Sequence, residues 1–353
     1  MAAMELKDVG EFELIERMAA IFRQTARSGK DSAGILPPAI GIGDDAAVWR
    51  NTGGYTIATT DAMVEGIHFT PQTTPWYELG WKAMASNVSD VAGMGGIPRH
   101  ALAVLAAPPT MEVEQALELC RGMADLAARF GTDVVGGDTV SSPVTMVTIT
   151  VLGETLPGRA DEGPPVLSRF HARPGDVVAV TGRLGSSAGG LELMLHGRTP
   201  VPERFAPLVE AHRLPLPRVR EGQLLVEAGV RCGMDLSDGL VGDLTRICQA
   251  SRVSVLVEVE KLPIDPLLRE AFGDRAIDLA LSGGEDYELL CTAPAEVLEK
   301  ARLLLQSTGS DLTVVGRVRE VDPSVPPVML AEADGRVRAP GRSGWEHFAL
   351  GGT

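Results

Sequence analysis

Apolar residues along this chain change period repeatedly between two and about 3.6, so strands and helices are expected to alternate. Between residues 11 and 27, Phe12, Leu14, Ile15, Met18, Ile21 and Phe22 recur at helical spacing with Glu13, Arg17 and Arg23 elsewhere. This predicts an opening amphipathic helix, followed by a loop over 28–40. YTIATT (55–60) has strand composition. After Pro75, WYELGWKAMASNVSDVAGMGG lines up Leu79, Ala83, Asn87 and Asp90 along one side of a helix. A strand at 101–107, a helix at 111–130, a short strand near 133–135 and a GGDT turn follow. In VTMVTITVLG (144–153), Val147, Ile149 and Val151 alternate with Thr148 and Thr150, as in a strand with one packed face.

The pattern breaks over 156–175, which is rich in Pro and Gly, so a domain boundary is expected near residue 157. The second half restarts with a strand at 177–182, a Gly/Ser turn (LGSSAGG) and a helix beginning at LELML. A Pro-rich piece at 199–217 precedes a helix at 218–229. After MDLSDG come a helix at 240–250, a strand at 253–259, helical pieces over 266–281, a strand at 287–292, a helix at 295–307 and an extended segment at 312–318. No period of 20–50 residues repeats, which excludes a solenoid. The expected class is α/β (α+β) in two domains, residues 1–157 and 158–353.

Composition narrows the function more than the fold. The 353 residues carry a formal charge of −15 with only 4% aromatics, which argues against nucleic-acid or anionic-membrane partners. The four Cys (120, 232, 248, 291) lack CxxC spacing and read as small core residues in a reducing compartment. The acidic N-terminal stretch resembles neither a signal nor a transit peptide, and no apolar run is long enough to span a bilayer. A cytoplasmic protein is expected.

Most nucleotide signatures are missing. There is no GxxxxGK[ST], no GxGxxG between strand and helix, no protein-kinase set and no HExxH. What recurs is Asp beside Gly, Ser or Thr: Asp44 and Asp45 in GIGDDAA, Asp61 closing a strand, Asp90, Asp138, Asp235 and Asp238. Hard oxygen ligands of this kind suit Mg²⁺ with phosphate oxygens, provided the loops share one end of a sheet. Each acid also has an ordinary role open to it: Asp90 capping the glycine segment after it, Asp138 in a turn, Asp238 as N-cap of the 240–250 helix. His68 can equally be a satisfied core histidine. The glycine segments GMGG (93–96), GGDT (136–139), GRLGSSAGG (182–190) and SGGED (282–286) suit close backbone approach to phosphate.

Taken together, GIGDDAA, TTDAMVEGIHF, WKAMASNVSDVAGMGG, GGDT, DLSDGL, SGGEDYELL and GWEHF resemble the thiamine-monophosphate kinase family, within the aminoimidazole ribonucleotide synthetase-like superfamily. The likeness runs from GEFELIERM nearly to the C-terminus. It implies an N-terminal α/β domain whose sheet forms a homodimer, plus a C-terminal α+β domain. It further implies ATP-dependent, Mg²⁺-assisted phosphorylation of thiamine monophosphate by direct in-line transfer. By the same resemblance, metal ligands would be Asp45, Thr59, Thr60, Asp61, Asp90, Asp138, Asp235 and Asp238, with Asp45, Asp61, Asp90 and Asp138 serving catalysis through metal. Gly137, Asp138, Arg169 and Ser237 would meet the nucleotide, and His68, Glu285 and Trp345 the thiamine phosphate. Asp44 matches the motif without an assigned role. Rival readings are a cyclo-ligase or selenophosphate synthetase of the same superfamily, an inactive nucleotide-binding regulator, and a Mg²⁺-dependent phosphatase. No Cys precedes residue 120, which disfavours the selenophosphate type.

Overall fold

The computed structural model describes residues 13–20, 38–158, 163–196, 201–341 and 344. Residues 13–20 are helical, in line with the N-terminal periodicity; the rest of that helix, most of the 28–40 loop and Trp345 lie outside the described residues. Among the described residues, no helix is long and apolar enough to cross a membrane.

The first sheet has the order β1-β2-β5-β3-β4, formed by Ala47–Arg50, Tyr55–Val64, Met146–Glu154, Ile97–Ala107 and Asp133–Ser141. On β5, Val147, Ile149 and Val151 are buried on one face, as the alternation predicts. Helix α1 (Trp76–Gly93) covers that face and is itself covered by α2 (Val113–Arg129). The helices cross closely because each places a glycine at the contact. A Cβ on Gly80 would lie 1.9 Å from the Leu119 carbonyl oxygen, and one on Gly122 would lie 1.9 Å from that of Tyr77.

Packed from all sides, α1 is buried at Leu79, Ala83, Met84, Ala85, Val88, Val91 and Ala92. With these it buries the polar side chains of Lys82, Ser86, Asn87 and Ser89.

The second sheet has seven strands: β6 (Val177–Thr181), β7 (Cys232–Asp235), β8 (Ser254–Glu258), β9 (Leu289–Ala293), β10 (Leu312–Arg319), β11 (Val328–Ala331) and β12 (Val337–Arg338). Its helices are α3 (Ser186–His196), α4 (Ala206–Arg213), α5 (Val219–Ala228), α6 (Leu240–Ser251), α7 (Pro266–Phe272), α8 (Arg275–Ser282) and α9 (Ala295–Leu305). The two halves share a core: Leu167, Leu225 and Leu289 join the cluster that contains Val88 and Ile149. A second cluster, including Leu244, Val255 and Leu290, belongs to the second half alone.

Several local expectations are corrected. GGDT is the middle of β4, not a turn, because residues 133–141 pair continuously along β3 apart from one bulge. LGSSAGG is not a turn before the helix: α3 already begins at Ser186. The Pro-rich 199–217 piece contains α4, with a Pro in its first turn, where proline is tolerated. Cys120 is exposed on α2, unlike the other three cysteines.

Candidate active site

A cavity of about 470 Å³ lies where the two halves meet. Among the residues lining it are Asp45, Thr59, Thr60, Asp61, His68, Asp90, Arg169, Asp235, Ser237, Asp238 and Glu285. Asp61 does not close its strand as the sequence suggested but lies inside β2, whereas Asp90 lies inside α1, as its helical spacing predicts. Asp235 ends β7, where the second half meets α1.

The acids hold one another by polar bridges. Thr59 donates to Asp90 (2.5 Å) and to the Asp45 carbonyl (3.2 Å), while Ser89, one residue before Asp90, donates to Asp235 (2.6 Å). The Asp61 N–H donates to Asn87 (2.9 Å), so the residue one helical turn before Asp90 positions the strand. Asp44 accepts the backbone N–H groups of Asp45 (3.0 Å) and Arg169 (3.1 Å). The Arg169 guanidinium pairs with Asp45. Thr60 instead bonds the Ile149 carbonyl (3.0 Å) and Thr150 (2.9 Å).

Charge is concentrated here with few compensating cations. Burial, then Asp61, Asp235 and Asp45, push the Asp90 carboxyl well above the usual range. Burial followed by Asp45 does the same to Asp235, and Asp44 is pushed up to about 7 by burial and Asp45 despite Arg169.

One oxygen of Asp45, Oδ2, is buried without a hydrogen-bond partner. Unsatisfied buried acceptors are rare in folded proteins and call for a missing partner. Hard oxygens, mutual repulsion and an orphaned carboxylate oxygen fit Mg²⁺. Among the described residues no group of three or more His, Cys, Asp or Glu is placed to hold a metal ion by itself.

The DLSDG loop is organised by a residue that sequence reasoning missed. Asp243, fully buried on α6, accepts the N–H groups of Ser237 and Asp238, both at 3.2 Å. Asp238 therefore does not cap α6; the N-cap residue is Gly239, and Asp238 pairs with Arg246. The cavity lining also includes the apolar side chains of Ala62, Met63, Ile67, Ala188 and Leu191, together with Glu285 and His68. His68 is neither core nor isolated: its Nδ1 accepts the Val64 N–H at 3.0 Å.

Gly137 and Asp138 do not join the others within one chain. Across the sheet, Ala62 aligns with Thr148, Thr148 with Val104, and Val104 with Asp138. Three strand spacings, roughly 14 Å, separate them. Packing also constrains one of the glycine segments. A Cβ at Gly137 would lie 1.7 Å from the Ala103 carbonyl oxygen, so neighbouring backbone demands that glycine. Lys82, His212 and Asp286 were also missed. Lys82 had one signal, a lone cation in a run of small residues on α1.

Comparison with known proteins places this architecture. Residues 43–155 match the family model described as AIR synthase related protein, N-terminal domain, and residues 173–325 match its C-terminal domain. The class is thus that of the AIR synthase related proteins. Within it, the chain is 36% identical over 313 residues to thiamine-monophosphate kinase of Bacillus subtilis, covering 88% of this chain and 93% of that one. To the Aquifex aeolicus thiamine-monophosphate kinase it is 33% identical over 348 residues, covering 98% and 100%. The solved structure "AaThiL complexed with AMPPCP and TMP" superposes with a TM-score of 0.80 at 32% identity, covering 98% of this chain and all of that one. Hydrogenase maturation protein HypE, at 22% identity and a TM-score of 0.66, shares the fold. The chain belongs to the thiamine-monophosphate kinase family.

Proposed function

We infer that this chain transfers the γ-phosphoryl group of ATP to thiamine monophosphate, giving thiamine diphosphate and ADP. The observation that carries the reading is a single cavity lined both by carboxylates with Arg169 and Arg246 and by apolar side chains with Glu285. Two anionic phosphates suit the first and a cationic heterocycle the second. The relatives named above, one of them solved with AMPPCP and TMP, support it.

A phosphate monoester with a second pKa near ~6 is already ionised at neutral pH, so its oxygen attacks the γ-phosphorus without a side-chain base. The protein's task is then positioning and charge control. We propose that Asp45, Thr59, Thr60, Asp61, Asp90, Asp235 and Asp238 hold Mg²⁺ ions, which screen the repulsion between the two substrates. Arg169 and Ser237 would orient the nucleotide. His68, Glu285 and Trp345 would orient the thiamine moiety, Glu285 by charge.

We also propose a cytoplasmic homodimer; the free cysteines agree with a reducing compartment. All of β4 is exposed, and Leu102 (41%), Val134 (44%) and Val140 (45%) leave apolar surface open on the sheet that carries Asp138. Pairing on this surface would let Gly137 and Asp138 serve the partner's cavity. Mixing Asp138→Asn with Asp61→Asn chains should then restore activity that neither has alone; no restoration would assign Asp138 to its own chain or to no role.

The decisive assay is incubation with Mg²⁺, ATP and thiamine monophosphate, with product analysis. Absence of thiamine diphosphate would overturn the reading, and free phosphate released without ATP would indicate a phosphatase.

A further inference from the structure

Behind Glu285 lies a charged group that neither the phosphate chemistry nor the core explains. Lys82 of α1 is fully buried, 0% exposed, and is among the largest side chains so enclosed. Its Nζ donates to Glu285 Oε2 at 2.7 Å and lies 3.1 Å from His212 Nε2. His212, 1% exposed, places Nδ1 at 3.1 Å from Ser187 Oγ and 3.5 Å from Glu285 Oε2. An ammonium only donates, so Nε2 of His212 accepts from it and the imidazole proton sits on Nδ1. Burial, then Lys82 and Arg213, hold His212 neutral, in agreement with that tautomer. Lys82, His212 and Ser187 come from three helices, α1, α4 and α3.

Glu285 is the residue at the front of this chain of contacts. Its side chain is 27% exposed and lines the cavity. Its backbone has φ +65°, a region that L side chains seldom adopt. Its N–H donates to the Ser237 carbonyl at 2.8 Å, which ties it to the DLSDG loop. The main chain aims Glu285 from an unfavourable conformation, and Lys82 holds the end of the side chain. A buried ammonium needs a fixed counter-charge, so Lys82 selects one carboxylate position among those that a flexible Glu can reach.

We propose that Lys82, backed by His212 and Ser187, is a positioning residue that presents the Glu285 carboxylate to the cationic heterocycle of the phosphate-acceptor substrate. The inference rests on the kinase reading above. It assigns Lys82 no contact with substrate or with the transferred phosphoryl group. Its effect reaches the acceptor through Glu285 alone.

That restriction makes a double-mutant cycle the test. Lys82→Met should raise the KM for thiamine monophosphate about 10-fold or more, with kcat and the KM for ATP changed less than about 3-fold. In a Glu285→Gln background, Lys82→Met should add less than about 3-fold. Equal fold-changes in both backgrounds, or equal effects on ATP and thiamine monophosphate, would overturn the proposal, as would an unchanged acceptor KM in Glu285→Gln itself.

If Lys82→Met does not fold, His212 carries the test. His212→Gln keeps an acceptor for Lys82 and should stay within about 3-fold, whereas His212→Leu should raise the acceptor KM selectively. Identical behaviour of the two His212 variants would also overturn it. Formation of thiamine diphosphate by the unmodified chain is read separately, so failure of the relay leaves the kinase assignment standing.

Discussion

Replacing Gly93 by Ala should separate stability from activity. Gly93 is the last residue of α1, and a Cβ there would lie 2.7 Å from Asp45 Oδ2 and 2.8 Å from the Asp235 N–H nitrogen. Both contacts are shorter than carbon tolerates, so one or both acids must move. Overpacking of this kind costs about 1–3 kcal/mol. Ala in place of Gly in a helix returns up to about 1 kcal/mol. The net loss should be about 0–3 kcal/mol, and the protein should remain folded. The acids that move are Asp45, which carries the orphaned oxygen, and Asp235, whose carboxyl Asp45 repels. Displacement of catalytic groups by about 1 Å costs on the order of 10²-fold in rate. Steady-state kinetics should therefore show kcat down about 10²-fold and a raised Mg²⁺ requirement, while urea unfolding shifts by no more than that net loss. Gly93→Ala with normal kcat and normal Mg²⁺ dependence would refute the placement of the metal cradle between Asp45 and Asp235.

Three further outcomes follow from the same geometry. Asp44 is held near 7 in the folded chain against 3.8 as the ordinary value, so the folded state keeps a proton that the unfolded chain sheds above about pH 4. Stability without divalent ions should fall as pH rises across that window, by at most about 4 kcal/mol; urea titrations in which Asp44→Asn shows the same slope as the native chain would count against this. Asp90→Asn should lower kcat by about 10²-fold or more in the ATP-dependent assay, since it removes charge that would hold metal at the transferring group. Trp345→Ala should raise the KM for thiamine monophosphate with little change for ATP, and equal changes in both would count against contact with the heterocycle.

Much of the fold was legible because burial on one face imposes a periodicity on the sequence. Val147, Ile149 and Val151 announce a half-buried strand, and the buried Leu119, Gly122, Met123, Leu126 and Ala127 of α2 recur at helical spacing. The errors share one physical origin. GGDT and LGSSAGG look like turns because glycine is the usual turn residue, yet here neighbouring backbone requires its lack of a side chain. At Gly189 a Cβ would lie 2.2 Å from Leu268 Cδ1, and at Gly190 2.0 Å from the Leu208 carbonyl oxygen. Close packing between distant segments is a tertiary fact that no local window contains.

The site was legible as a list of acids and illegible as an arrangement. Short motifs with Asp beside Gly, Ser or Thr identify groups able to bind metal, because that chemistry needs particular side chains. What they do not identify is the scaffolding that aims them: Asp243 under the DLSDG loop, Asn87 on the Asp61 N–H, and Lys82 behind Glu285. These residues touch no substrate in the reading above and stand one shell away, where a lone Asp or Lys in a helix looks unremarkable. Asp138 shows the opposite limit. Its motif matches as well as any other, yet in one chain it stands three strands from Asp61's neighbour Ala62 on an exposed edge. A motif match reports chemical competence, whereas convergence depends on which surfaces meet, so the mixed-chain experiment bears on Asp138 more directly than any single substitution does.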